Sequence, residues 1–197
     1  MILRLVRGRV LTGRFDQLRE GIASLFAPWV GSAEGLVEAH VGVNRTADGD
    51  DVAFVSAWTS PDAAMAALGR SLNRVRPWPG VTEHLEVRSV DHYEVDEHRH
   101  SASAERPTIA RIAAGLVEQG SDVEIQRELR DRLATLGSEV HGAYVGRRLR
   151  GSTVEVLLLT TWSRRPADTS LDTPLFPDLA GRYESFWIET FEIIDPE

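Results

Sequence analysis

One internal offset constrains this chain more than anything else in it. Sliding the sequence by 104 residues carries Trp58 onto Trp162, and the apolar runs before them, 52–57 and 156–161, onto each other. Without gaps, the same offset pairs Ala39 with Ala143, Val41 with Val145, Gly42 with Gly146 and Val52 with Val156. Leu36 falls on Val140, Asp51 on Glu155, Ser56 on Thr160 and Arg7 on Arg111. Two strands and the turn between them align together, which marks a repeated supersecondary unit.

The flanks extend the unit. Residues 2–11 and 108–117 read as strands, and each precedes an amphipathic helix. The first helical stripe is Phe15, Leu18, Ile22, Leu25 and Phe26; the second is Ile125, Leu129, Leu133 and Leu136. Ser121 with Glu124 has the spacing of a capping box. Hairpins follow over 36–44 with 52–59 and over 140–148 with 154–162, with turn chemistry at 48–51 and at Gly151-Ser152. Ser60-Pro61 starts a helix with the stripe Met65, Leu68, Leu72, Val75, and strand 84–95 closes the unit. In the second unit, residues 164–178 carry Pro166, Pro174 and Pro177 and are expected to be mostly irregular. Strand 185–194 ends it. The predicted organisation is a first ferredoxin-like β-α-β-β-α-β unit over 1–97, a polar linker over 98–106, and a second unit over 107–197. The fold class is α+β: two tandem units forming an α/β barrel of antiparallel sheets.

Composition removes several functions. The formal charge of −8 opposes binding to a phosphate backbone, so no nucleic-acid partner is expected. With no cysteine, there is no disulfide, no thiolate nucleophile and no Cys-type zinc site. No apolar run is long enough to span a bilayer, and the Arg-interrupted start is not a signal peptide. A cytoplasmic protein without a membrane partner is the expectation, and a homodimer is open. The run His92, Glu94, Asp96, Glu97, His98, His100 is dense in potential ligands. His98 and His100 would share one side of an extended chain, as a metal could use. The run is read as strand end and linker, and no metal site is assigned.

Strand alternation sorts the hairpin residues by face. Small apolar Ala53, Val55 and Ala57 are expected beneath the helices, and Phe54, Ser56 and Trp58 on the opposite, ligand-lining face. The same parity exposes Trp162 and Thr160 to a ligand. His40, with Glu38, Gly42 and Asn44, opposes the face of Val37, Ala39, Val41 and Val43; Tyr144 is its equivalent. His40 and Tyr144 are candidates for moving a proton. Trp58, Trp162, Phe54, Ser56, Arg7 and Arg111 are candidates for holding a small hydrophobic molecule. Each of these residues can equally be a core or strand-edge residue.

The segment Val55-Ser56-Ala57-Trp58-Thr59-Ser60-Pro61-Asp62 resembles the dimeric α/β-barrel superfamily, especially antibiotic-biosynthesis monooxygenase-like proteins. Thr160-Thr161-Trp162-Ser163 is a weaker copy. The resemblance implies cofactor-independent oxidation of an aromatic, polyketide-like substrate or, in another branch, breakdown of heme. Members of that family usually form the barrel by dimerising; a tandem chain would form it internally. Only the tryptophan carries over. Where quinone-forming members have Asn, this chain has Phe54 and Leu158; the first strands lack the Asn of heme-degrading members, and residues 61–75 lack their His. Three readings follow: a monooxygenase-like enzyme needing no cofactor, a non-catalytic module binding a hydrophobic ligand or a protein, and a heme-binding protein.

Overall fold

The computed structural model describes residues 1–69, 81–101, 105–163 and 175–195. Its strands are β1 (Ile2–Val10), β2 (Leu36–Thr46), β3 (Gly49–Trp58), β4 (Leu85–His100), β5 (Ile109–Glu118), β6 (Val140–Arg150), β7 (Thr153–Trp162) and β8 (Ser185–Ile193). They are hydrogen-bonded in the closed order β1-β3-β2-β8-β5-β7-β6-β4, the α+β barrel topology that the repeat predicts. Helices are α1 (Phe15–Gly21), running through a π-helical turn (Ile22–Phe26) into α2 (Ala27–Ser32), then α3 (Pro61–Leu68), α4 (Asp122–Leu133) and α5 (Pro177–Ala180). No helix among the described residues is long and apolar enough to cross a membrane.

The chain forms two compact units, Met1–His92 with Phe191–Glu197, and Tyr93–Thr190. These differ from the sequence boundaries because the final strand of each half is divided. Residues 94–100 of β4 pair with β6, and Glu192 and Ile193 of β8 pair with β2. Residues 98–100, expected as linker, are therefore strand. Their polar side chains suggested a linker, yet strand backbone needs only a partner edge, and β6 supplies it.

The two hairpins share one register. Val41 opposes Phe54 and Val145 opposes Leu158; Ile2 opposes Trp58 and Ile109 opposes Trp162. Even the bulges coincide, between Leu36 and Glu38 and between Val140 and Gly142. The 104-residue offset holds for the hairpins but not for the first strands. There Arg4 opposes Ser56 and Arg111 opposes Thr160, so Arg4, not Arg7, is the counterpart of Arg111.

The glycines shared by the hairpins are explained by close approach. A Cβ on Gly42 would lie 2.5 Å from Phe191 Cβ, and one on Gly146 would lie 3.0 Å from Tyr93 Cβ. An aromatic of the dividing strand covers each glycine. Gly42→Ala should therefore cost about 1–3 kcal/mol through overpacking. Gly31, in α2, has open space around its missing Cβ. Gly31→Ala should be neutral or stabilise by about 0.5–1 kcal/mol. Denaturant midpoints of the two variants check the contrast.

In the first unit, Leu18, Ile22 and Phe26 are buried, whereas Leu25 is 41% exposed. A strict four-residue spacing drifts around an α-helix of 3.6 residues per turn. The wider π turn at Ile22–Phe26 reduces that drift, keeping the three side chains on the sheet and turning Leu25 outward. Ser60 caps α3 as expected: its side chain accepts from the Ala63 N–H at 3.1 Å. Leu72 and Val75 lie outside the described residues.

The α4 start differs from the expected capping box. Ser121 makes no side-chain cap, and instead Asp122 Oδ1 accepts from the Gly120 N–H at 2.9 Å. Asp122 Oδ2 accepts from Arg147 Nη1 at 3.1 Å. Burial alone would raise the Asp122 pKa, but these hydrogen bonds outweigh it and hold it below its ordinary value of 3.8. A carboxylate depressed on folding stabilises above its unfolded pKa and loses that contribution as pH falls through the folded pKa. Asp122→Asn should therefore destabilise at pH 7 and narrow its gap to wild type below about pH 4. Thermal melts at the two pH values measure it.

Of the proline-bearing stretch 164–178, residues 164–174 lie outside the described residues. Pro177 opens the single turn of α5, where its missing N–H costs nothing.

Candidate functional site

Each hairpin has one face beneath helices and one facing away. In the first unit the helix-covered face carries Val6, Val41, Val43, Val52 and Phe54, packed with Leu18, Ile22 and Phe26. Trp58 packs with Ile2, Ala64 and Leu68. In the second unit, Trp162, Leu158 and Val156 pack with Ile125, Leu129 and Leu133 of α4. The expected parity of β3 and β7 is thus reversed. Trp58, Phe54, Ser56, Trp162 and Arg111 lie under helices, not on the opposite face. Directly opposed residues of an antiparallel pair share a face, and Val41 opposes Phe54. The small residues Ala53, Val55 and Ala57 face away from the helices, opposite Arg7, Leu5 and Leu3.

The indoles are hydrogen-bonded within their cores. Trp58 Nε1 donates to Ser56 Oγ and Trp162 Nε1 to Thr160 Oγ1, each at 2.9 Å. One strand away lie Arg4 and Arg111, both buried. Burial pulls the Arg4 guanidinium down to about 10. Ser/Thr, Trp and Arg recur at matching positions as a core arrangement. Nearby in the second unit, an apolar cavity of about 20 Å³ lies among Ala113, Leu129, Leu158, Phe176, Leu179 and Tyr183. It has room for about one water molecule and none for an aromatic ligand. Burial raises the Tyr183 pKa above its ordinary value, keeping the phenol neutral.

The opposite face of the first unit holds the titratable groups. His40 Nε2 is in short contact with Glu38 Oε1, with side-chain exposures of 16% and 14%. Strand alternation places both side chains on this face, since Glu38 opposes Ala57 and His40 opposes Val55 in unbroken register. One row along, Arg7 opposes Ala53 and donates to Asp91 Oδ2 at 2.8 Å. Ser89 Oγ donates to the same oxygen at 2.9 Å. Of the sequence candidates in this unit, His40 and Arg7 share a face and Trp58, Phe54 and Ser56 do not. Glu38 was visible in the alternation on the face of His40, but alternation alone carries no signal that the two touch.

In the second unit, Tyr144 is fully buried and its hydroxyl lies 3.0 Å from His100 Nε2. Its ring stacks with His98 at 6.2 Å between centroids and meets His100 edge-on at 5.3 Å. Further along the sheet, buried Glu155 accepts from the Tyr93 hydroxyl at 2.6 Å and from Arg148 Nη2 at 2.7 Å. Among the described residues, no group of three or more His, Asp or Glu side chains is placed to hold a metal.

No family model matches the chain, and no curated protein matches it. Solved structures do. A proposed monooxygenase from Fusobacterium nucleatum aligns with TM-score 0.70 at 10% identity, covering 98% of this chain and 92% of that one. A proposed monooxygenase from Lactobacillus acidophilus gives 0.67 at 11% identity, covering 98% and 94%. An anthrone oxidase-like protein gives 0.55 at 15% identity, covering 98% and 91%. At these identities the likeness defines the fold alone: this chain has the dimeric α/β-barrel fold.

Proposed function

We propose that this chain is a cofactor-independent, monooxygenase-like enzyme acting on a small hydrophobic aromatic molecule, with His40 and Glu38 as its proton-handling pair. The observation that carries the reading is the largely buried His40–Glu38 contact on the face turned from the helices. A carboxylate on one ring nitrogen orients the imidazole and stabilises the imidazolium that forms when the ring takes a proton. The proton would come from an acidic C–H or O–H of a hydroxylated polycyclic substrate. The resulting electron-rich anion reduces dioxygen; one oxygen atom enters the ring carbon as a carbonyl, and the other leaves as water with the two hydrogens removed. Arg7 lies on the same face, with its charge compensated by Asp91. It would contribute hydrogen bonds rather than net charge. The likeness to an anthrone oxidase-like protein supports the choice of substrate class.

The burial of both indoles favours a second reading, a non-catalytic module for a hydrophobic ligand or protein. It withdraws the two residues that would have stacked on a substrate. Oxygen consumption with anthrone and related hydroxylated polycyclic aromatics separates the two. Wild type should consume oxygen, and His40→Ala and Glu38→Gln should lower kcat by about 100-fold or more. Turnover that survives His40→Ala removes the proposed base. Binding of these compounds without oxygen uptake favours the module. A Soret shift on adding hemin would favour the heme reading over both.

A further inference from the structure

We propose that His98 and His100 form a surface site for a borderline divalent cation, Cu²⁺ first, in the second unit. The two residues alternate along β4 and share the face on which Tyr144 lies. His98 opposes Tyr144 across the strand pair, and His100 opposes Gly142, which has no side chain to obstruct it. Both imidazoles are exposed, while Tyr144 beneath them is buried. Their ring centroids are 5.7 Å apart. With metal–nitrogen bonds of about 2.0–2.1 Å, two imidazoles sharing one ion have centroids from about 4.5 Å apart when cis to about 6.5 Å apart when trans. The observed spacing falls inside that range without movement of the backbone.

Tyr144 fixes the geometry. Its ring stacks on His98 and meets His100 edge-on, so two side chains that would otherwise sample several rotamers are held beside each other. To ligate, His100 exchanges a present hydrogen bond for the ion. Water completes the coordination, because no third protein carboxylate or imidazole among the described residues converges here. Imidazole donors and a solvent-completed sphere favour Cu²⁺ over Zn²⁺ and leave Mg²⁺ and Ca²⁺ unbound, since those ions take oxygen donors.

The test titrates the metal-free 197-residue chain with CuSO₄ against a chromophoric chelator and records the electron paramagnetic resonance spectrum at one equivalent. The expected result is one Cu²⁺ per chain with nitrogen splitting from two imidazoles. Zn²⁺ should compete more weakly, and Mg²⁺ should not compete. His98→Ala should weaken Cu²⁺ binding about tenfold or more and remove one nitrogen from the splitting. Its side chain is exposed, so the variant should fold; an unchanged far-UV spectrum confirms it. If His100→Ala does not fold, His98→Ala decides alone. His40→Ala should bind Cu²⁺ as wild type does, which separates this site from the proposed catalytic pair. The site is overturned if wild type binds no Cu²⁺ when the ion is in large excess over the protein, or if the folded His98→Ala variant binds it with unchanged affinity and splitting.

Discussion

Trp58→Ala is expected to cost about 3–5 kcal/mol, the range for emptying a large aromatic site in a core. Trp58 is 0% exposed and packs against Ile2, Ala64 and Leu68. Its ring lies 5.8 Å from that of Trp29, which lies 5.7 Å from Phe26, which meets Phe54 edge-on at 6.0 Å. Removing the indole opens one end of this aromatic row and strips Ser56 Oγ of its donor. Trp58→Phe keeps most of the volume and should cost less, while still losing the Nε1–H to Ser56 hydrogen bond, worth about 0.5–1.5 kcal/mol. Guanidinium unfolding followed by circular dichroism measures both. A residue lining an open ligand site would behave otherwise: Trp58→Ala would then leave stability within about 0.5 kcal/mol of wild type, as surface changes do.

This prediction reverses the reading of Trp58 from sequence, and the cause is specific. The hairpin, its partner 104 residues on and the helix that Ser60 caps were all legible, because periodicity and capping are local signals. Which face of β3 meets the helices depends on register, and register depends on the turn. The chain turns at Ala47 and Asp48, with Thr46 opposing Gly49. The acidic stretch 48–51 looked like loop but mostly forms strand. Side-chain size then misled, because Ala53, Val55 and Ala57 resemble a helix-packing surface. Glu38 was legible as sharing a face with His40, but alternation does not announce that the two side chains touch. His98 and His100 were correctly placed on one side of an extended chain; that the chain is a paired strand depended on β6, far away in sequence.

The largest electrostatic effect is expected at Glu155, and the hairpin of matching register provides its own control. The sequence offset places Asp51 at the matching position in the first unit. Asp51 pairs with Arg9 at 2.9 Å and with Arg88 at 3.0 Å, but its side chain is 28% exposed. Water screens such a pair, so Asp51→Ala should cost about 0.2–1 kcal/mol. Glu155 is 1% exposed and saturated. The Tyr93 hydroxyl donates to Oε1, while Arg148 and Arg150 donate to Oε2. The Arg148 guanidinium also lies 4.8 Å over the Tyr93 ring. Glu155→Ala leaves the Tyr93 hydroxyl without this acceptor and takes the counter-charge from Arg148, whose side chain is only 14% exposed. The expected cost is about 3–5 kcal/mol, the range for breaking a buried pair from one side. Glu155→Gln keeps one oxygen as acceptor for Tyr93 but replaces the oxygen that accepts from Arg148 and Arg150 with an N–H donor, so it should fall between. Phe191 covers Gly42 as Tyr93 covers Gly146, but without a hydroxyl to satisfy. Copying that solution as Tyr93→Phe with Glu155→Leu should recover part of the Glu155→Ala loss, because both partners of the hydroxyl–carboxylate bond are then apolar. Urea midpoints of the four variants, with slopes compared to confirm a common unfolded state, decide the matter. A Glu155→Ala loss no larger than that of Asp51→Ala would show that burial does not strengthen this network.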